Sequence, residues 1–597
     1  MLKLRSLRSH FVLIAMLALA LGGSCHRLSP REIGTAESTI TSTADTTPPR
    51  LIWLTLDALQ KANLAPYVSQ IQNPHPRGLK WILDHQRAND RLQVSFPSIT
   101  ASSHITTLTC AASGQHGVFL NGGNWNGERD LNGFAMPYKT ETWVQALRDD
   151  DKRVAVAAYP SVDGSSESRS GDMGIAYDSP KGRVQYIKLA KGTESIVELP
   201  SHQTPDKKYK VALLWSDGEQ VKVSGDFPLT DALPVGLAVD SFANDGEGDS
   251  LRKAQVTYLH LGFQGPDNSI IVAVSPVSVM PVTGDVLRSR LDGQNIVWSN
   301  IRDYGYAKYN GGVALTLETI KHRRNKAMAA IRAMLSIGGS DAYFLYLEDI
   351  DVLLHGWIGA PEVEGELVAF LSEFDRELGE LIATLPPTTN LVVMGDHGMS
   401  AINYELNARK LIPEGLAQYV QVRTSGGTML LYPAGQLDAA VPQGFNIEQV
   451  AERLRSLKVE FDGNRPLFSK VVTRDSDEAR SMGLSGPSSP WIMAFAHDGI
   501  AIQDKIDPNL LIARRATFMV PEELREKYPD PMNSGILIQP TPLGAHGHDS
   551  TLPSMRTHLF AVGPDLDTLD LSDIKTNLHV VPAIADALGW PRPESCR

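Results

Sequence analysis

Four short stretches of this chain bring together side chains that can do chemistry. Phe96 to Asn121 reads FPSITASSHITTLTCAASGQHGVFLN, a run of hydroxyl residues leading into an apparent helix start near Ser102. A hydroxyl at a helix N-terminus has its oxyanion favoured by the helix dipole and by unpaired backbone N–H groups. Plain Ser/Thr capping gives the same composition. The other three stretches pair acids with histidines: EDIDVLLH from Glu348 to His355, GDHG around Asp396 and His397, and AHGHD around His546 and His548. Asp57 follows the apolar run RLIWLTL. Asp and His together suit zinc, and manganese and iron also fit. Two such ions about 4 Å apart can stabilise both the attacking and the leaving oxygen of an in-line displacement. A threonine hydroxyl is a weak nucleophile at neutral pH until a metal lowers its pKa. Each residue also has a bland reading, since an Asp at a strand end is most often a turn or cap residue.

The elements around these residues favour the chemical reading. Arg50–Leu56, Ala342–Leu347, Leu391–Met394 and His558–Val562 are continuous apolar runs, as strands buried on both faces require. Amphipathic helical patterns lie between them, at Leu317–Leu335 and Pro361–Leu385. Buried strands alternating with helices predict an α/β fold, a mainly parallel sheet with helices on both faces. Ligands of such sheets bind outside the carboxyl ends of the strands. The acids and histidines cluster there, after three separate strands.

Two regions break this rhythm. Residues 184–297 hold short apolar stretches (VALLW, VTYLHLGF, SIIVAV) punctuated by Gly, Asp and Pro, and read as a β-rich insertion. Residues 401–540 read as a small α+β cap subdomain, with a helix around Ile447–Leu457. The core is thus expected in three parts, 50–183, 298–400 and 541–597.

Across its 597 residues the chain carries a net charge of −12, so nothing global points to a nucleic-acid polymer. An anionic substrate would need local positive charge, which bound metal could supply. Residues 1–25 have basic Lys3, Arg5 and Arg8, an apolar run from Phe11 to Leu21 and then small residues, the layout of a bacterial-type export signal. Leu21-Gly22-Gly23-Ser24-Cys25 resembles a lipobox, with Gly22 where an aliphatic residue is usual, so the expectation is a lipid anchor at Cys25, with plain signal cleavage as the alternative. Residues 26–49, rich in Ser, Thr and Pro, read as a flexible linker. The expected destination is the periplasm or cell envelope. The two remaining cysteines, Cys110 and Cys596, could pair there or stay as free thiols.

The stretch from Phe96 to Asn121 resembles the nucleophile motif of the type I phosphodiesterase/nucleotide pyrophosphatase family of the alkaline phosphatase superfamily. Phe96-Pro97, Thr100, His104, His116-Gly117 and Asn121 fall in register with it. The resemblance implies that Thr100 is the nucleophile and that Asn121 binds a nonbridging phosphate oxygen. It assigns Asp57, Thr100, Asp396 and His397 to one metal ion and Asp351, His355 and His546 to a second, with zinc the expected metal. His104 and His116 are expected to brace the nucleophile turn. Spacing prefers His546 to His548 and Asp351 to Asp349. The sequence departs from the motif at Ile350, Ser103 and Cys110, and the insertion has no counterpart in it.

The implied activity is hydrolysis of phosphodiester or pyrophosphate bonds in a small phosphate ester or nucleotide, through a phosphothreonine. A phosphomonoesterase or phosphonate hydrolase of the same superfamily is the alternative. In VDGSSESRSGD, Arg169 is present but Glu167 stands where threonine-type monoesterases carry a lysine, which tilts the reading toward diesters. Trp125 and Tyr159 are candidates to stack a base or to flank an apolar leaving group. A non-catalytic exported binding protein is a third reading, opposed by the intact set of nucleophile, ligands and Asn121.

Overall fold

Every residue of strand β1 (Leu51–Leu56) is buried, as its unbroken apolar sequence demands. The structure is a computed structural model that describes residues 47–596. Residues 163–170, 177–183, 246–251, 298–311, 504–511, 515–543 and several shorter stretches fall outside that description. The export signal, Cys25, most of the expected linker and Arg169 therefore lie outside the described residues.

β1 is joined in one eight-stranded sheet by β2 (Asn89–Leu92), β3 (Val154–Ala157), β4 (Met173–Ile175), β5 (Val282–Thr283), β6 (Ala342–Leu347), β7 (Asn390–Met394) and β8 (Thr557–Val562). The order is β5-β4-β3-β6-β1-β7-β8-β2. The five strands from β4 to β7 run parallel, while β5, β8 and β2 are antiparallel to their neighbours at the two edges. The mainly parallel α/β sheet expected from the sequence is present.

Side chains alternate between the two faces. Ile52, Leu54, Leu345 and Val393 pack on one side against α2 (Gly312–Ile337) and α4 (Glu364–Ala383). Trp53, Phe344 and Val392 pack on the other, against Trp143, Leu147 and Ile584. Each such side chain withdrawn from water is worth about 2 kcal/mol. The helices that complete the site are α1 (Thr100–Thr109) and α3 (Asp349–Trp357).

Register then sets the chemistry. Leu56 of β1 lies level with Leu347 of β6, and Thr55 with Met394 of β7. Neighbouring strands are about 4.8 Å apart. Asp57, the start of α3 and Gly395-Asp396-His397 therefore leave the sheet side by side at its carboxyl edge.

Two antiparallel sheets lie between β4 and β5 in sequence. One holds Glu194–Pro200, Lys208–Trp215 and Val221–Gly225; the other is built on Gln185–Leu189, Ala238–Asp245, Arg252–Gln264 and Ile270–Val274. They share one apolar core that includes Val211, Leu213, Trp215, Tyr258 and Val272. Asp240 ties this body to α2, accepting from His322 Nε2 at 3.0 Å and Lys326 Nζ at 2.8 Å. After β7, Val420–Ser425, Thr428–Pro433, Phe468–Thr473 and Ile492–Ala496 form a four-stranded antiparallel sheet. The helix Ile447–Ser456 packs on it, with Arg455 Nε donating to the carbonyl of Val471 at 3.2 Å. Cys110 and Cys596 form a disulfide, with Cα atoms 5.3 Å apart. Among the described residues no helix is long and apolar enough to cross a membrane.

Candidate active site

Thr100 is the first residue of α1, two residues earlier than the hydroxyl run suggested. The extended backbone of Ile99 breaks the helix there and leaves the Thr100 side chain at its N-terminal end. Thr100 Oγ1 lies 3.1 Å from His397 Nε2 and 3.5 Å from Asn121 Nδ2. Asn121 is held by its other end, since Oδ1 accepts the N–H of Ala101 at 2.8 Å. That bond turns the amide nitrogen toward the threonine.

Asp57 caps the end of β1, its N–H donating to the Leu347 carbonyl at 2.9 Å. The Tyr346 hydroxyl donates to Asp57 Oδ2. Asp396 Oδ1 accepts the N–H groups of Ala58 at 3.1 Å and His397 at 3.0 Å. Its Oδ2 lies 3.4 Å from His397 Nε2 and 3.5 Å from His104 Nδ1. Asp351 and His355 stand one turn apart on α3, with Oδ1 3.3 Å from Nε2. His546 Nε2 is 3.9 Å from the same oxygen, and its ring stacks on that of His397 at 3.7 Å between centroids.

Three histidines share one arrangement. His355 Nδ1 meets the Gly544 carbonyl at 2.8 Å, His397 Nδ1 the Gly398 carbonyl at 3.0 Å and His546 Nδ1 the Ser98 carbonyl at 3.1 Å. A carbonyl only accepts, so each Nδ1 carries the proton and each Nε2 turns a lone pair inward. Burial, then His397, push the His546 pKa well below the ordinary value, which keeps that ring neutral.

Lone pairs therefore face carboxylate oxygens across 3.3–3.9 Å, a repulsive contact unless a cation lies between. Asp57 Oδ1, Asp351 Oδ1 and Asp396 Oδ2 are buried and accept no hydrogen bond from any described residue. An unmet buried polar atom costs about 1–3 kcal/mol, and more when charged. Burial, then Asp396 and Asp351, raise the Asp57 pKa well above the aspartate range. A donor set of this kind fits divalent metal. Asp351, His355 and His546 can reach one common ion, and so can Asp57, Asp351 and His397, which places Asp351 between the two groups.

The competing residues are engaged elsewhere. His548 is fully buried, with Nε2 on the Ile500 carbonyl at 2.9 Å. Asp349 faces Arg324, and Glu348 pairs with Arg323. His104 Nδ1 lies 2.8 Å from the Thr100 carbonyl. His116 Nε2 lies 3.0 Å from Thr106 Oγ1, and burial takes its pKa down to about 3. Tyr159 is no base-stacking residue, since it is 1% exposed and its hydroxyl bonds Trp53 Nε1 at 3.0 Å and Thr55 Oγ1 at 2.9 Å. Trp125 carries the Arg423 guanidinium over its ring at 5.6 Å, and its Nε1 donates to the Gly435 carbonyl at 3.0 Å. Sequence reasoning did not find Tyr346. A hydroxyl near the carboxyl end of an otherwise apolar buried strand was the available signal.

Comparison with known proteins completes the description. The family model described as type I phosphodiesterase / nucleotide pyrophosphatase matches residues 51–547. No curated protein matches the chain. Among solved structures, murine ectonucleotide pyrophosphatase/phosphodiesterase 5, as an inactive variant in complex with AMP, is similar over 91% of this chain and 96% of its own, at 13% identity and TM-score 0.46. The human protein of the same name is similar over the same shares at 13% identity and TM-score 0.44. With Phe96–Asn121 and the strand-end acids inside the matched span, the chain belongs to the type I phosphodiesterase/nucleotide pyrophosphatase family.

Proposed function

We propose that this protein is an exported two-metal hydrolase that cleaves phosphodiester or pyrophosphate bonds of a small phosphate ester or nucleotide through a phosphothreonine at Thr100. The observation that carries the reading is the placement of Thr100 Oγ1. It stands at a helix N-terminus, 3.1 Å from His397 Nε2, beside acids whose buried oxygens lack partners. Asp57, Thr100, Asp396 and His397 would hold one divalent ion and Asp351, His355 and His546 another, with zinc first by ligand type. When bound, the two ions supply positive charge that lowers the pKa of a hydroxyl or water and offsets phosphate charge.

The chain's own groups account for the rest. Thr100 Oγ1, its proton given up to solvent, attacks phosphorus, and the bond to the leaving oxygen breaks with its electron pair, that oxygen taking a proton from water. Asn121 Nδ2, aimed by the Ala101 N–H, donates to a nonbridging oxygen. Water then attacks the phosphothreonine on the side the leaving group vacated, releasing phosphate product and restoring the hydroxyl. The Cys110–Cys596 disulfide supports an oxidising compartment, and the N-terminal signal with Cys25 as anchor supports the cell envelope.

The test is hydrolysis of bis-p-nitrophenyl phosphate and p-nitrophenyl phosphate by zinc-loaded protein lacking residues 1–25, beside Thr100→Ala. Dominant diester cleavage that falls to background in the variant is expected. Monoester preference with the same Thr100 dependence would make the protein a phosphatase of the same mechanism. Activity that survives Thr100→Ala would rule out the phosphothreonine.

A further inference from the structure

A buried ionic cluster lies behind the site. Arg324 of α2 has a fully buried side chain. Its Nε donates to Glu377 Oε2 of α4 at 2.7 Å, and its Nη1 lies 3.5 Å from Asp349 Oδ1 in the first turn of α3. Glu373 Oε1 of α4 is 3.8 Å from Nη2. The planar guanidinium lies over Phe370 at 4.7 Å and Phe374 at 5.5 Å, both on α4. Next to it on α2, Arg323 pairs with Glu348, the residue just before α3.

Stability does not explain such a cluster. A buried ion pair is often matched or bettered by apolar side chains of the same volume. What it does supply is direction. The guanidinium offers its donors in a rigid plane, so its partners are fixed in angle as well as distance. Asp349 and Asp351 are two residues apart on α3, so they point to opposite sides of the helix, whereas Asp351 and His355 at four residues share one side. Gripping Asp349 and Glu348 from behind therefore sets the rotation of the turn whose front presents Asp351 and His355. The far end of that pair is fixed separately, by the Gly544 carbonyl on His355 Nδ1.

We infer that Arg324 is a positioning residue for the Asp351–His355–His546 metal group, holding α3 in rotation through Asp349 while Glu377 and the two phenylalanines hold Arg324. This rests on the metal reading of that group proposed above. Arg324 touches neither metal nor substrate. Loss of a group that hydrogen-bonds a ligand typically weakens metal binding by about 10–100-fold, and Arg324, one residue further out, should fall at the low end.

The experiment is a zinc titration, by competition with a chromophoric chelator, of full-length wild type, Arg324→Met, Arg324→Lys and His355→Ala, each checked for folding by thermal unfolding. Wild type should bind two zinc ions and His355→Ala one. Arg324→Met should bind one ion as wild type does and the other about 10-fold more weakly, with Arg324→Lys in between. Combining Arg324→Met with His355→Ala should leave the remaining ion unchanged. Wild-type affinity for both ions in folded Arg324→Met would overturn the assignment while leaving the metal reading standing. Two tightly bound ions in His355→Ala would overturn the metal reading itself, and the assignment with it. Should Arg324→Met not fold, Glu377→Gln is read on the same titration. A weakened second ion supports the assignment, and wild-type affinity for both ions overturns it.

Discussion

Asp57 shows how the site sets function against stability. Its carboxylate is buried beside Asp396 and Asp351, and burial followed by those like charges raises its pKa above the ordinary value of 3.8. A carboxyl group raised in this way favours the fold below the unfolded pKa and stops doing so as pH climbs through the folded pKa. Metal-free protein should therefore lose stability as pH rises from about 4 toward neutrality. Asp57→Asn keeps an acceptor for Tyr346 and removes the charge. In chelated protein at pH 8 this variant should melt higher than wild type, and at pH 4 the difference should vanish. With zinc the order should reverse, because bound metal stabilises only the fold that holds it. Thermal unfolding with and without chelator reads both signs. At this scale the sequence already named the groups. The structure brings Asp57, Asp351, His355, Asp396, His397 and His546 together near Thr100, and their roles as ligands belong to the proposal. The hydrogen bonds that aim them were not legible, because the Ser98, Gly398 and Gly544 carbonyls belong to the backbone and carry no residue signature.

Elements carry the aiming. Level registers of β1, β6 and β7 deliver Asp57, the start of α3 and Asp396-His397 to one edge, and the hairpin turn between Val420–Ser425 and Thr428–Pro433 closes on the segment of His546. In that turn the Gly427 N–H donates to the His546 carbonyl at 2.8 Å. A Cβ at Gly427 would stand 2.6 Å from the His548 ring, closer than packed atoms tolerate. Gly427→Ala should cost about 1–3 kcal/mol in denaturant titration and lower kcat through displaced His546. Wild-type activity in the variant would show that the turn yields without moving the histidine. The main strands and helices were legible because continuous apolar runs of strand length and a 3.6-residue period leave little choice. The short strands β3 and β4 carry too few residues for a pattern. Thr100 rather than Ser102 opens α1 because the break is made by the backbone of Ile99, not by a capping side chain.

At the scale of the molecule, the Cys110–Cys596 bond spans 486 residues and fastens the end of α1 to the far end of the chain. Closing so long a loop restricts the unfolded ensemble, and removing such a bond typically costs about 2–5 kcal/mol. The double variant Cys110→Ser, Cys596→Ser should lose that much in urea titration. Diester hydrolysis at 25 °C should persist if Asn577, bonded to Thr107 Oγ1 at 3.2 Å, still holds the helix. The pairing stayed open in the sequence because nothing local brings those positions together; only the completed sheet does. The same topology settles how the β-rich body is attached. Ile175 of β4 pairs directly with Val282 of β5, so the chain leaves the sheet and returns to it at neighbouring points. What lies between is held a second time, by Asp240 on His322 and Lys326 of α2. One in-frame excision would remove this body without cutting any of the five parallel strands, but it would release His322 and Lys326 of α2 from Asp240. The β-rich body is thus separate from the sheet in covalent topology yet coupled to it through the same helix that carries Arg324.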